Sequence, residues 1–186
     1  KDLPPGRKAV GCKWVFKVKR NPDGGVERFK ARLVAKGYTQ QYGVDYDETF
    51  APVVRMQTLR TLMGIAAHED LEVHQMDVDT AFLNARLKET IYMEQPEGFV
   101  DPENPDKVCL LDRSLYGLMQ SARLWNEDVT DYMGENGFVM ISADPCVLVE
   151  IKNGRIRSII AIYLDDLTLM ARGMKRIEKI KKILIA

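Results

Sequence analysis

Apolar residues recur along this chain at two spacings, every second position or every third to fourth, and the switches between them predict an α+β fold. Residues 14–19 and 28–34 alternate on either side of Asn21-Pro22-Asp23-Gly24-Gly25, a hairpin-turn signal, so one face of the hairpin is apolar and the other a basic platform. Over residues 55–70, Met56, Leu59, Leu62, Met63, Ala66 and Ala67 form the stripe of an amphipathic helix, a scaffold element without chemistry of its own. A short extended stretch around residues 76–78 follows. Residues 91–94 and 107–111 read as short strands separated by a loop containing Pro96, Gly98, Pro102 and Pro105. Leu118, Ala122, Trp125, Val129 and Tyr132 place a long helix over residues 114–136. Strands at 147–151 and 156–163 flank an Asn153-Gly154 turn, and 163–171 folds back at Asp165-Asp166. A basic helix over 174–184 is expected to lie over the sheet with its charges in solvent.

The chemistry concentrates where that pattern is interrupted. Residues 159–170 read IIAIYLDDLTLM, two adjacent carboxylates inside an apolar run. Burying both costs free energy unless a cation compensates them, and magnesium is commonly held by one or two carboxylates, its shell completed by phosphate and water. On these residues alone, a solvent-exposed turn and a metal site stand equally open. Asp77 shifts the balance toward metal. If its strand lies beside the 163–169 hairpin, carboxylates 88 positions apart converge into a cluster of three. Such a cluster suits two ions about 3.5–4 Å apart that stabilise the attacking and leaving oxygens of an in-line phosphoryl displacement. Strand alternation makes Asp165 the expected closer ligand and Asp166 a second or supporting one.

Composition narrows the partners. With 46% hydrophobic and 29% charged residues, the chain can bury one core or two subdomains. No apolar run reaches the roughly 18 residues of a membrane-spanning helix, and no signal peptide is visible, so neither a membrane nor secretion is expected. Cys12, Cys109 and Cys146 are odd in number and widely spaced, which suits reduced, packed thiols. His68 and His74 are too few for a histidine-rich metal site. A net charge of zero conceals eleven Lys/Arg against three Asp/Glu in residues 1–42, the balance of a phosphate-binding surface or of a solvated basic hairpin. Trp14, Phe16 and Phe29 could serve there as core or as base-stacking groups.

Five blocks then occur in order: KWVFKVKRNPDGGVERFKARLVAKGYTQQYGVDYDETFAPVVR, QMDVDTAFLNARLKETIYMEQPEGFV, LDRSLYGLMQSARLWN, ADPCVLV and YLDD. Together they cover nearly the whole chain, and they resemble the reverse transcriptase domain of copia-type long-terminal-repeat retrotransposons. The resemblance implies palm and fingers subdomains, with a fingers hairpin at residues 8–54 and a palm with further fingers elements at 55–186. The thumb, connection and ribonuclease H regions are expected to lie outside this chain. Implied with them is an RNA-directed DNA polymerase using two Mg2+ ions, or Mn2+ in their place, bound by Asp77, Asp165, Asp166 and the Val78 backbone. The implied substrates are deoxynucleoside triphosphates and a primed RNA or DNA template. Other Pol regions, ribonuclease H and integrase, would accompany it in a parent polyprotein, within the cell cytoplasm or virus-like particles.

By the same resemblance, Arg32 is the first candidate for the triphosphate, followed by Lys30 and Arg20. Phe82, after Ala81, is either a steric gate against a ribose 2′-hydroxyl or a core aromatic. Gly117 would permit close backbone approach, Gln120 and Arg123 would offer polar contacts, and Tyr163, Lys19 and Arg123 would meet template or primer. Asp79, Ala85, Met119 and Ala122 depart from the residues usual at their places, and Asp79 would weaken triphosphate binding. Two other readings remain: a retrotransposon remnant that at most binds nucleic acid, and another two-metal phosphoryl-transfer enzyme such as a nuclease.

Overall fold

A computed structural model describes residues 1–185. In chain order the elements are β1 (Cys12–Arg20), β2 (Val26–Ala35), α1 (Met56–His68), β3 (Glu72–Asp77), β4 (Arg86–Met93), β5 (Cys109–Arg113), α2 (Ser121–Glu135), β6 (Val139–Ile141), β7 (Asp144–Lys152), β8 (Arg155–Tyr163), β9 (Asp166–Ala171) and α3 (Met174–Ile185). Two compact units interleave along the sequence. One comprises residues 1–50 and 82–124, the other residues 51–81 and the chain from 125 onward.

The first unit holds two antiparallel pairs, β1 with β2 and β4 with β5. In the β1–β2 register Lys17 opposes Lys30, Val15 opposes Arg32 and Lys19 opposes Arg28, while Trp14, Phe16 and Val18 oppose Leu33, Ala31 and Phe29. Opposed residues share a face and successive residues alternate, so the hairpin has the expected basic face and apolar face. Only the base of the apolar face is covered. Trp14 packs against Phe99 at 5.6 Å and donates its indole N–H to Glu97 O at 3.0 Å. Phe16 and Phe29 are 76% and 80% exposed, so neither is a core residue of this unit. The core lies instead where Val10, Ala35, Ile91 and Leu118 meet, with Leu87, Leu111 and Leu115 against them.

The second unit is built on a five-stranded antiparallel sheet ordered β3-β9-β8-β7-β6. Ile159–Ile162 of β8 are buried in succession, the pattern of a central strand covered on both faces. From α3, Ile177 and Ile180 are fully buried, and Arg176 is also interior, donating to Ser158 Oγ at 2.9 Å and pairing with Glu150. This corrects the expectation of a helix whose basic residues all face solvent. Alternate positions of β7 and β8 set Ser158 and Glu150 opposite each other, and this pair receives the guanidinium. At the start of α1, Asp144 accepts the Arg55 N–H at 3.0 Å and the Cys146 N–H at 3.1 Å. Burial works against ionisation of Asp144, but these bonds, one from Thr58 and the Arg55 charge outweigh it and hold its carboxyl below the usual range. Burial, followed by the charge of Asp144, pushes the Cys146 thiol up to about 11. All three cysteines are free, and among the described residues no helix is long and apolar enough to cross a membrane.

Candidate functional site

At one end of the five-stranded sheet the register brings the predicted carboxylates together. Asp77 opposes Asp166 across β3 and β9, and Asp166 opposes Tyr163 across β9 and β8, so Asp77, Asp166 and Tyr163 form a row on one face. Asp77 and Tyr163 are exposed, whereas Asp165 and Asp166 are half-buried. Gln75, two residues before Asp77 on the same face, donates its amide to Asp166 Oδ1 at 3.0 Å. Asp165 occupies the two-residue β8–β9 turn, and its carbonyl accepts the Val78 N–H at 3.0 Å. The residue facing Asp77 across the strands is therefore Asp166, with Asp165 one position earlier in the turn.

This turn is strained and pinned. Leu164 has φ +55° and Thr80, three residues past Asp77, φ +56°, both left-handed conformations that cost a side-chain-bearing residue about 1 kcal/mol or more. Such conformations persist only when surrounding bonds over-determine them. Here the Leu164 carbonyl accepts the indole N–H of buried Trp125 at 2.9 Å, and the Asp165 carbonyl is held by Val78. Trp125 thus does more than fill the core: it fixes the turn that carries the acids.

The donor set fits a hard divalent cation. Asp77 and Asp166 are adjacent carboxylates on neighbouring strands, with Asp165 in the turn beside them. Two carboxylates are the usual protein contribution to a magnesium site whose remaining ligands are phosphate and water. The compact cluster of three expected from sequence is not formed: among the described residues, no three His, Cys, Asp or Glu side chains close around one point. Its framework is a cross-strand pair with a third acid in the adjoining turn.

In the first unit, the candidates divide into those facing outward and those engaged internally. Lys19, Lys30 and Arg32 share the basic face of β1–β2, while Arg20 turns back to donate to Gly24 O at 2.9 Å. Arg32 lies over the ring of Tyr116, 5.4 Å from its centroid, and half-buried Phe82 packs on the same ring at 4.9 Å. Ala81, the last residue of the sheet unit's 51–81 segment, is fully buried.

Gln120, expected as a polar contact for substrate, is engaged within the unit in this structure. It is fully buried, donates to Asp45 O at 2.8 Å and accepts from Gln40 Nε2 at 3.1 Å. Gln40 in turn accepts the Met119 N–H at 2.8 Å, so the two amides join residues 40–45 to the start of α2. Gly117 has φ +92°, and a Cβ there would overlap Ala35 O and Val34 Cγ1. The close backbone approach it permits is to β2. Arg123 donates to Glu48 O at 2.9 Å, a further tie within this unit.

Sequence reasoning passed over Tyr116, although it lies in LYGLMQSAR between singled-out neighbours. Its tyrosine identity carries no signal of the two aromatic-face contacts. It also passed over Thr80, Leu164 and Gln75, whose importance depends on backbone angles and register.

Comparison with known proteins adds an independent finding. The sequence profile described as "Reverse transcriptase (RNA-dependent DNA polymerase)" matches residues 1–186. The chain is similar to a Retrovirus-related Pol polyprotein from transposon TNT 1-94 of Nicotiana tabacum, 43% identical over 97% of this chain and 14% of that protein. A Retrovirus-related Pol polyprotein from transposon RE2 of Arabidopsis thaliana is 43% identical over 88% of this chain and 11% of its own length. A Transposon Ty1-H Gag-Pol polyprotein of Saccharomyces cerevisiae is 28% identical over 97% of this chain and 9% of its own. The chain therefore spans about one seventh of the first of these relatives. No solved structure matches it.

Proposed function

Since the chain belongs to the reverse transcriptase (RNA-dependent DNA polymerase) family, we propose that its carboxylate edge adds deoxynucleotides to a primer 3′-hydroxyl on an RNA or DNA template. The observation that supports this most is the direct opposition of Asp77 and Asp166, with Asp165 in the turn tied to Val78. On this reading, Asp77, Asp165, Asp166 and the Val78 carbonyl hold two magnesium ions, or manganese in their place. The bound metal supplies a lowered pKa at the primer 3′-hydroxyl and neutralises charge on the triphosphate and leaving pyrophosphate.

The protein's own contribution is orientation. Trp125 and Val78 fix the turn by its carbonyls, and Gln75 fixes a carboxylate oxygen of Asp166. Tyr163 lies in the same row, and on this reading it meets the primer or template. The sheet unit corresponds to a palm and the β1–β2 unit to fingers. Within the latter, Arg32 and Lys30 neutralise the triphosphate, Arg32 with a bidentate fork, while Lys19 meets template phosphate. Phe82 discriminates against a ribose 2′-hydroxyl by steric exclusion. Arg20, Gln120, Gly117 and Arg123 support the fold around these groups. The chain would act as one part of a longer Pol polyprotein, alongside ribonuclease H and integrase regions.

Primer extension on a primed homopolymer RNA template with magnesium tests this reading. The wild-type chain should extend the primer, and Asp77→Asn or Asp166→Asn should reduce extension roughly hundredfold or more while leaving the circular dichroism spectrum unchanged. Absence of extension by the wild type, or equal extension by the variants, would overturn it.

A further inference from the structure

Tyr116 has no role in the mechanism above, yet its ring touches two residues to which that mechanism gives opposite duties: Arg32 for the phosphates and Phe82 for the sugar. We propose that Tyr116 is a positioning residue for nucleotide selection, which holds the Arg32 guanidinium and the Phe82 ring in one fixed arrangement; this rests on the nucleotide-binding roles just assigned to Arg32 and Phe82.

The backbone around Tyr116 is built to hold the ring still. Its carbonyl accepts the Ala35 N–H at 2.8 Å, and Ala35 lies on β2 three residues beyond Arg32. The next residue, Gly117, is left-handed and seated so closely on Ala35 that no Cβ fits. The ring and the guanidinium are therefore referred to the same strand. A free arginine side chain carries about 2 kcal/mol of rotamer entropy, and a cation–π contact removes part of that disorder before ligand arrives. Preorganisation of this kind appears as tighter binding, because less ordering remains to be done.

The contact with Phe82 has a different consequence. Steric exclusion of a 2′-hydroxyl works only if the excluding ring cannot swing aside. With Tyr116 packed 4.9 Å from it, Phe82 must disrupt an aromatic pair to move. Removing the Tyr116 ring should thus weaken nucleotide binding and blur the distinction between deoxyribose and ribose together. A residue that served the fold alone would alter the amount of folded protein and leave that distinction as it was.

The test is equilibrium titration of the chain with dATP and with ATP in magnesium, followed by the NMR signal of the Arg32 Nε–Hε group. In the wild type, dATP should bind more tightly than ATP, and the Arg32 signal should be displaced by the ring current of Tyr116. Tyr116→Leu keeps bulk but removes the aromatic face; it should bring the Arg32 signal to its random-coil position and reduce the dATP-to-ATP affinity ratio about tenfold. Tyr116→Phe keeps the face and should retain the ratio within about twofold. A wild type that does not distinguish the two nucleotides, or a Tyr116→Leu chain with an unchanged ratio, overturns the proposal. Primer extension separates this from the polymerase reading: extension with an unchanged ratio removes only Tyr116's role, and selectivity without extension removes only the polymerase.

Discussion

Two hairpins in this chain are similar on paper and opposite in construction. Both β1–β2 and β8–β9 join apolar strands and carry charged residues, but β1–β2 stands as a two-stranded sheet while β8–β9 lies inside a five-stranded one. The first turns through Asp23, Gly24 and Gly25, with glycine taking the positive φ, and leaves Phe16 and Phe29 exposed. The second turns through Leu164 and Asp165 without glycine, accepts a left-handed leucine, and buries Ile160, Ile162, Leu167 and Leu169. Strain, burial and pinning hydrogen bonds gather where the acids must keep their places. The basic hairpin has a relaxed turn at Gly24 and few anchors beyond its own two strands.

Truncation of one apolar residue in each hairpin should expose this difference most strongly. Ile160→Ala leaves a cavity in the sheet core and should cost about 2–5 kcal/mol, whereas Phe16→Ala removes a ring that is mostly in water and should cost no more than about 0.5 kcal/mol. Urea unfolding of the two variants checks this, and equal losses would erase the contrast. A smaller effect is expected from Trp125→Phe, which keeps the ring but withdraws the donor from Leu164 O. The lost hydrogen bond should cost about 1–2 kcal/mol, with faster amide exchange at residues 163–167 and not in β1–β2.

The smallest effect concerns pH. The Asp144 carboxyl is held below its ordinary value in the fold, so the stability it contributes is present above the unfolded value of about 4 and is lost as pH falls through the folded one. Asp144→Asn should flatten that acid limb in the sheet unit while leaving the acid response of β1–β2 amides unchanged. Hydrogen exchange at several pH values below 5 would show it, and an acid limb of the same slope in both proteins would refute it.

Strands β7, β8 and β9 were legible because their apolar runs are long and Asn153-Gly154 marks the β7–β8 turn; β3 was legible only as a short stretch around residues 76–78, and β6, three residues long, carries too little pattern to be read. The two faces of β1–β2 were legible, since alternation fixes the face once the register is set. The start of α2 was not. Periodicity extends the helix back to residue 114, but the chain over 114–120 is a set of turns, because Gly117 takes a positive φ against β2 and Gln120 joins Gln40 and Asp45. Those ties run to partners some 75 to 80 positions away, outside the reach of any local pattern. The three acids were legible as residues but not as geometry. Which of Asp165 and Asp166 faces Asp77 depends on where the turn closes, and a shift of one residue would exchange them.

The most direct test of the central claim, that the Asp77–Asp166 edge holds a divalent cation, is paramagnetic broadening of backbone amide signals by a trace of manganese. The account predicts that broadening centres on residues 77–79 and 164–167, is reversed by excess magnesium, and disappears in Asp166→Asn. Broadening centred elsewhere, or unchanged in that variant, would contradict it.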